Sequence, residues 1–137
     1  MRCNSSYTRS FPELWEDPRT MPTFAIFRNE PDIRSFTQGE TIFKEGDPAD
    51  CMFAVVEGTV EIELRSSVVE HIAPGGVFGE MALIDGLPRS ATAVAAADCN
   101  LAVINEKRFL RLIELTPRFA LQMMQVITER LRRSSKS

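Results

Sequence analysis

The feature that most constrains the fold is a series of short alternating or apolar segments between residues 33 and 104. The clearest is Thr59–Arg65, where apolar and polar residues alternate strictly. In a strand, this alternation places one set of side chains on the inner face. The set predicted to point inward is Val60, Ile62 and Leu64. Turns containing Gly or Pro separate the segments, so the pattern predicts a sandwich or barrel, here a jelly roll.

Two helices are predicted after the last strand. Asn105 is a favourable N-cap for the first helix. The apolar face of that helix is predicted to comprise Phe109, Leu112 and Ile113. Thr116-Pro117 ends this helix and begins a second one, because Pro is favoured at the first helical position. The second helix is predicted to run for about 15–18 residues and to end near Arg133.

The segment from Phe78 to Thr92 carries the chemistry. Gly79 can adopt a positive φ, which lets a ligand approach the backbone closely. Glu80 follows at the start of a short helical turn, and its carboxylate can accept hydrogen bonds from hydroxyls. Arg89 offers a planar set of donors suited to phosphate. Together they suit a ligand that carries hydroxyl and phosphate groups close together, such as a ribose cyclic phosphate.

This segment closely resembles the phosphate-binding cassette of cyclic nucleotide-binding domains. The matching patterns are Phe-Gly-Glu-x-Ala-Leu from Phe78 and Pro-Arg-x-Ala-Thr from Pro88. The flanking pattern resembles the family from about Ile33 to about Arg133. Members include bacterial catabolite activator-type regulators, cyclic-nucleotide-dependent kinases and gated channels. The resemblance implies a mainly β fold with flanking helices: an eight-stranded jelly-roll β-barrel (a double-stranded β-helix), a short cassette helix and two C-terminal helices.

The resemblance also implies roles for individual residues. Arg89 would bind the equatorial oxygens of the cyclic phosphate, and Glu80 would accept the ribose 2′-OH. The remaining cassette residues predicted to bind ligand are Gly79, Met81, Ala82, Ser90 and Ala91. A Ser at the position of Ser90 occurs in bacterial cAMP readers, so it favours cAMP over cGMP. Glu80 could also pair with Arg89 when no ligand is bound, which would limit the cost of two unpaired charges.

Contacts to the base are predicted from the last helix. In family members this helix closes over the purine, and the counted positions indicate Ser134 and Ser135, which could offer hydroxyls. Arg130 could instead stack on the base. The alternative for Arg130, with Arg132 and Arg133, is a basic cluster that interacts favourably with a helix C-terminus.

Composition excludes several classes of function. The formal charge of −3 argues against a protein built mainly to coat nucleic acid, so no direct DNA binding is expected. No apolar run approaches the length of a membrane span, so no membrane association is expected. The three cysteines are odd in number and far apart, which favours a reducing compartment, so a cytoplasmic location is predicted. Three scattered cysteines and the single histidine, His71, do not suit a zinc, haem or cupin-type metal site. No metal, cofactor or catalytic residue is predicted.

The predicted organisation is a loose extension over residues 1–22 and one cyclic nucleotide-binding domain over 23–137. Its barrel covers about 33–104 and its C-terminal helices about 105–133. We expect reversible binding of cAMP, or alternatively cGMP, by a regulatory module that is not an enzyme. Because no helix-turn-helix segment follows, the signal is expected to reach a separate effector protein.

Two alternatives stay open at this point. One is a ligand-free interaction domain on the same fold, and the other is a regulatory fragment of a larger protein. The second helix is predicted to be too short to cover a base and also form a long coiled coil, so a monomer or weak homodimer is expected.

Overall fold

The computed structural model describes residues 27–136. Eight strands form the body of this region: β1 (Ile33–Phe36), β2 (Thr41–Phe43), β3 (Cys51–Glu57), β4 (Val60–Leu64), β5 (Ser67–Ile72), β6 (Val77–Phe78), β7 (Thr92–Ala95) and β8 (Cys99–Asn105). Three α-helices accompany them: α1 (Glu80–Asp85), α2 (Glu106–Leu115) and α3 (Pro117–Lys136). The predicted extension over residues 1–22 lies outside the described residues.

The strands form two four-stranded antiparallel sheets. One has the order β1-β8-β3-β6 and the other the order β2-β7-β4-β5. Each sheet therefore pairs strands from the beginning of the region with strands from its end. The predicted class, mainly β with a short helix and two C-terminal helices, is confirmed.

Strand β3 contributes to both hydrophobic clusters of the domain. Phe53 and Val55 point into the cluster between the two sheets. Met52 and Ala54 point the other way, into a cluster that also contains Leu112 of α2. The alternation of a strand explains this division, and burial on both faces explains why β3 is almost continuously apolar. Helices α2 and α3 thus cover the sheet that contains β3.

Strand β4 departs from the predicted pattern at its end. Val60 is fully buried and Ile62 half-buried, but Leu64 is 38% exposed. The prediction that Leu64 points inward is therefore wrong. Its cause is a register shift against β5 between Ile62 and Glu63, which interrupts the regular alternation. The hairpin between β4 and β5 turns at Arg65 and Ser66, both with positive φ.

The C-terminal helices begin where predicted. The Asn105 side chain accepts a hydrogen bond from the Arg108 backbone N–H at 2.8 Å and so caps α2. Helix α3 begins at Pro117 but has 20 residues and ends at Lys136. The predicted length of about 15–18 residues was therefore too short. No helix in the described part of the chain is both long and apolar enough to span a membrane.

A partly buried ion pair joins the segment before β1 to helix α2. The guanidinium of Arg108 makes two 2.8 Å hydrogen bonds to the carboxylate of Glu30, whose side chain is 2% exposed. The hydrogen bonds to Glu30 raise the pKa of Arg108. The bidentate geometry fixes α2 relative to the barrel.

Candidate functional site

A cleft opens between helix α1, the sheet that contains β2 and β4, and helix α3. Its volume is about 600 Å³ including the open mouth. The lining residues are Phe43, Ile62, Glu70, Phe78, Gly79, Glu80, Met81, Ala82, Arg89, Ser90, Ala91 and Arg130. They come from four strands, two helices and the loop before β7.

Helix α1 is bounded by a glycine at each end. Gly79 and Gly86 have φ values of 78° and 73°, in the left-handed region that favours glycine. The Gly86 backbone N–H donates to the carbonyl of Ala82 at 2.9 Å and ends the helix. Such a short helix is not stable alone, so packing must fix it. Glu80 and Ala82 face inward and are buried.

The backbone of Arg89 is fixed by the loop that follows β2. Its N–H donates to the carbonyl of Asp47 at 2.9 Å, and its carbonyl accepts from Gly46 at 2.8 Å. These two bonds tie the loop before β7 to a segment more than forty residues earlier, at one end of the cleft. The side chain of Arg89 therefore starts from a defined position.

The guanidinium of Arg89 is buried, with 6% of the residue exposed. Nη1 donates to the carbonyl of Gly79 at 3.0 Å, and Nη2 contacts Cys51 Sγ at 3.6 Å. Its Cζ lies 4.1 Å from the ring centroid of Phe43. Nε is buried and has no hydrogen-bond partner among the described residues. Burial raises the pKa of the Cys51 thiol although Arg89 opposes the shift, so this neighbour is a neutral thiol at pH 7.

Arg130 of α3 reaches into the cleft and binds two carboxylates. Its Nη1 lies 2.8 Å from Glu80 Oε1, and its Nη2 lies 3.2 Å from Glu70 Oε2. Nη2 also donates to the carbonyl of Val77 at 2.7 Å. Arg133 extends the network with a longer contact to Glu70 at 3.5 Å. The prediction that Glu80 pairs with Arg89 is wrong in this structure, because helix α3 supplies a different arginine.

The structure brings most of the predicted site residues together. The seven cassette positions and Arg130 all line the cleft. Ser134 and Ser135 belong to helix α3, but the structure describes only their backbone. Their predicted contact to a base stays a prediction.

Three lining residues were not anticipated from the sequence: Phe43, Ile62 and Glu70. Ile62 had been predicted to face inward, which is the signal that could have placed it. Phe43 and Glu70 carry no local signal, because only the pairing of β2 with β7 and of β4 with β5 brings them to the cleft. Phe78, which the cassette pattern includes, lines the cleft as part of β6.

The arrangement is suited to binding a small polar molecule. One end offers a buried cation with N–H groups to spare, and the other offers a buried carboxylate that can still accept hydrogen bonds. Apolar and aromatic side chains lie between and around them. Among residues 27–136 no group of three or more metal-binding side chains is present.

Comparison with known proteins identifies one family. The family model for the cyclic nucleotide-binding domain matches residues 33–115. A cyclic nucleotide-gated potassium channel of Mesorhizobium japonicum is 41% identical over 87 residues, which are 64% of this chain and 24% of the channel. A cAMP-dependent protein kinase regulatory subunit of Eremothecium gossypii is 36% identical over 103 residues, which are 75% of this chain and 21% of that subunit.

Solved structures agree with this assignment. The crystal structure of the Thermus thermophilus catabolite activator protein superposes with a TM-score of 0.73 at 29% identity. The alignment covers 87% of this chain and 60% of that chain. The chain thus spans about a quarter or less of the two curated relatives named above and somewhat more than half of this solved structure.

Proposed function

The chain belongs to the cyclic nucleotide-binding domain family, and on that premise we propose that it binds a cyclic nucleotide reversibly as a regulatory module, with cAMP preferred over cGMP. In this proposal the ligand's phosphate meets Arg89 and its ribose meets Glu80. The module itself catalyses no reaction and acts on a separate effector protein in the cytoplasm.

The observation that carries the proposal is the lack of an acidic partner for the buried guanidinium of Arg89 among the described residues. The side chain is buried, yet it forms no ion pair with any residue in the described range. A buried cation is costly unless an anion compensates it. A cyclic phosphate supplies a single negative charge and oxygens that match the guanidinium. Binding would therefore satisfy donors, including Nε, that the protein leaves without acceptors.

Glu80 supports the same orientation of the ligand. Its Oε1 accepts from Arg130, but a carboxylate has about four acceptor sites, so a ribose hydroxyl can bind beside Arg130. Arg130 fixes the Glu80 carboxylate in the cleft through a hydrogen bond of 2.8 Å. The ligand would then bridge the two ends of the cassette, with helix α3 attached through the same carboxylate.

The preference for cAMP rests on Ser90, which lines the cleft next to Arg89. The proposed contacts to the base come from α3. Arg130 uses its N–H groups on Glu80, Glu70 and Val77, so its face rather than its edge would contact a purine. Ser134 and Ser135 are the other proposed base contacts.

The proposed output is a change in the position of the C-terminal helices. Leu83 of the cassette packs against the same hydrophobic cluster as Phe109, Leu112 and Ile113. Movement of the cassette around a phosphate would therefore be transmitted to α2 and α3. The ligand would favour the closed arrangement only by its difference in affinity for the two arrangements.

The proposal is tested by calorimetric titration with cAMP, cGMP and 5′-AMP. We expect one site for a cyclic nucleotide, much weaker binding of 5′-AMP, and cAMP bound more tightly than cGMP. Arg89→Leu should weaken binding by about a hundredfold or more, because it removes charged hydrogen bonds. Arg111→Leu is the matched control, since Arg111 pairs only with exposed Glu114 among the residues described.

Two results would contradict the proposal. Folded wild-type protein, freed of carried-over ligand, that binds none of the three nucleotides would favour the ligand-free interaction domain. Equal loss of affinity in Arg89→Leu and Arg111→Leu would show that the effect is not specific to the cleft. Tighter binding of cGMP than of cAMP would overturn only the preference assigned to Ser90.

A further inference from the structure

Arg89 is held by an aromatic ring rather than by an acidic side chain. Its Cζ lies 4.1 Å from the centroid of Phe43 and 5.6 Å from that of Phe53. A cation within about 6 Å of a ring centroid is attracted to the face of the ring. The shorter distance makes Phe43 the principal aromatic contact of this guanidinium.

The Phe43 ring is itself fixed by aromatic packing. Its centroid lies 5.9 Å from the centroids of both Phe53 and Phe78, and the latter two rings stack at 5.3 Å. These are ordinary distances for packed aromatic pairs, and they restrict the ring's orientation. The face presented to Arg89 is therefore set by the barrel core rather than by a flexible loop.

Contact with an aromatic ring leaves the N–H donors of the Arg89 guanidinium free, whereas contact with a carboxylate would use them. A ring interacts with the face of the guanidinium, whereas hydrogen bonds are made by its edge. Of the five N–H groups of Arg89, one is used by Gly79 and one weakly by Cys51, which leaves three. Stacking thus orients the cation without occupying the donors that a phosphate needs.

Gly79 completes the enclosure of the guanidinium. A Cβ atom at this position would lie 2.7 Å from Arg89 Nη1 and 3.5 Å from Phe43 Cε2. The glycine backbone, the arginine edge and the phenylalanine ring therefore meet at one point.

We propose that Phe43 is a positioning residue for phosphate binding, which it serves by stacking on Arg89 and directing the free edge of the guanidinium into the cleft. This inference rests on the proposed function, because it specifies how the phosphate-binding arginine is held. It predicts that the ring contributes to affinity only through Arg89.

The test compares Phe43→Leu, Phe43→Tyr and the wild type in titrations with cAMP. Phe43→Leu should raise the Kd by about tenfold, as expected for loss of a partly buried cation–π contact. Phe43→Tyr keeps the ring and should retain most of the affinity. The matched control is Phe36→Leu, since Phe36 packs against the same core cluster but lines no part of the cleft.

Two further measurements separate positioning from general stability. In an Arg89→Leu background, Phe43→Leu should cause no additional loss of affinity. In NMR spectra of the Arg side chains, the Arg89 Nε–H should carry a ring-current shift that Phe43→Leu removes and Phe36→Leu preserves. Both readouts concern the stack itself rather than the stability of the fold.

Outcomes that overturn the inference are distinct from failure of the proposed function. If wild-type protein binds cAMP and Phe43→Leu binds it equally well, the positioning role is wrong. An equal loss in Phe36→Leu, or an undiminished loss in the Arg89→Leu background, would also overturn it. If the wild type binds no cyclic nucleotide, the proposed function fails, and the ring-current shift alone still decides whether Phe43 orients Arg89.

Discussion

At the scale of single residues, Gly79 and Gly86 offer a matched comparison. Both flank α1 with positive φ, so an alanine at either position costs about 1 kcal/mol of backbone strain. They differ in surroundings, because a Cβ at Gly79 would meet Arg89 whereas a Cβ at Gly86 would meet nothing within 4 Å. The flexible end of Arg89 can move away, so the conflict displaces the guanidinium rather than unfolding the cassette.

We therefore expect both Gly79→Ala and Gly86→Ala to lower the free energy of unfolding, and Gly79→Ala to lower it more because it also disturbs the buried contacts of Arg89. Only Gly79→Ala should weaken cAMP binding, by about tenfold, because it moves the phosphate-binding group. Urea denaturation and calorimetric titration measure the two effects separately. Equal affinities of the two variants would show that close approach of Gly79 to Arg89 is unimportant.

At the scale of elements, the contact between α3 and the cleft depends on buried charge. Arg130 has 16% of its side chain exposed and pairs with Glu80, of which 3% is exposed. Arg133 is 45% exposed and makes only a 3.5 Å contact to Glu70. Removing one member of a buried pair leaves an uncompensated charge, whereas an exposed pair contributes little.

Arg130→Leu should accordingly lower the free energy of unfolding by about 2–4 kcal/mol at pH 7. Arg133→Leu, the same substitution one turn later, should change it by no more than about 0.5 kcal/mol. Chemical denaturation of both variants provides the measurement. Comparable small effects would mean that the Glu80–Arg130 pair does not hold α3 on the barrel.

At the scale of the whole molecule, α3 carries a second apolar face. Leu121, Met124 and Leu131 are 51%, 60% and 55% exposed, and exposed Thr128 continues the 3,4 spacing. This is the a/d pattern of a coiled-coil seam, although it extends over fewer than the three to four heptads that give a clear signal. Because α3 is longer than predicted, we expect a weak homodimer rather than a monomer.

Sedimentation velocity over a concentration series should show a reversible monomer–dimer equilibrium in the micromolar range or above. Met124→Glu should abolish the dimer by placing a charge in the seam. Leu110→Glu, at a similarly exposed apolar position on α2, is the control and should leave the equilibrium unchanged. A strictly monomeric wild type would show that the seam does not associate.

Much of this protein was determined by the sequence itself, because the signals are local. Alternation and Gly or Pro turns predicted a series of short strands between residues 33 and 104, and the strands β1 to β8 lie between Ile33 and Asn105. Asn105 and Pro117 located the starts of both C-terminal helices. The cassette pattern located one wall of the cleft, since its residues lie within fifteen positions of one another.

The tertiary structure alone decided which distant side chains complete the site. Arg130 reaches Glu80 across 50 residues and Glu70 across 60, and Phe43 stacks on Arg89 because β2 and the loop before β7 meet. No local periodicity in the sequence encodes these contacts. A β-bulge or one additional helical turn changes which side chain reaches the cleft. The exposure of Leu64 and the partner of Glu80 were mispredicted for this reason: each depends on how elements far apart in sequence register against one another.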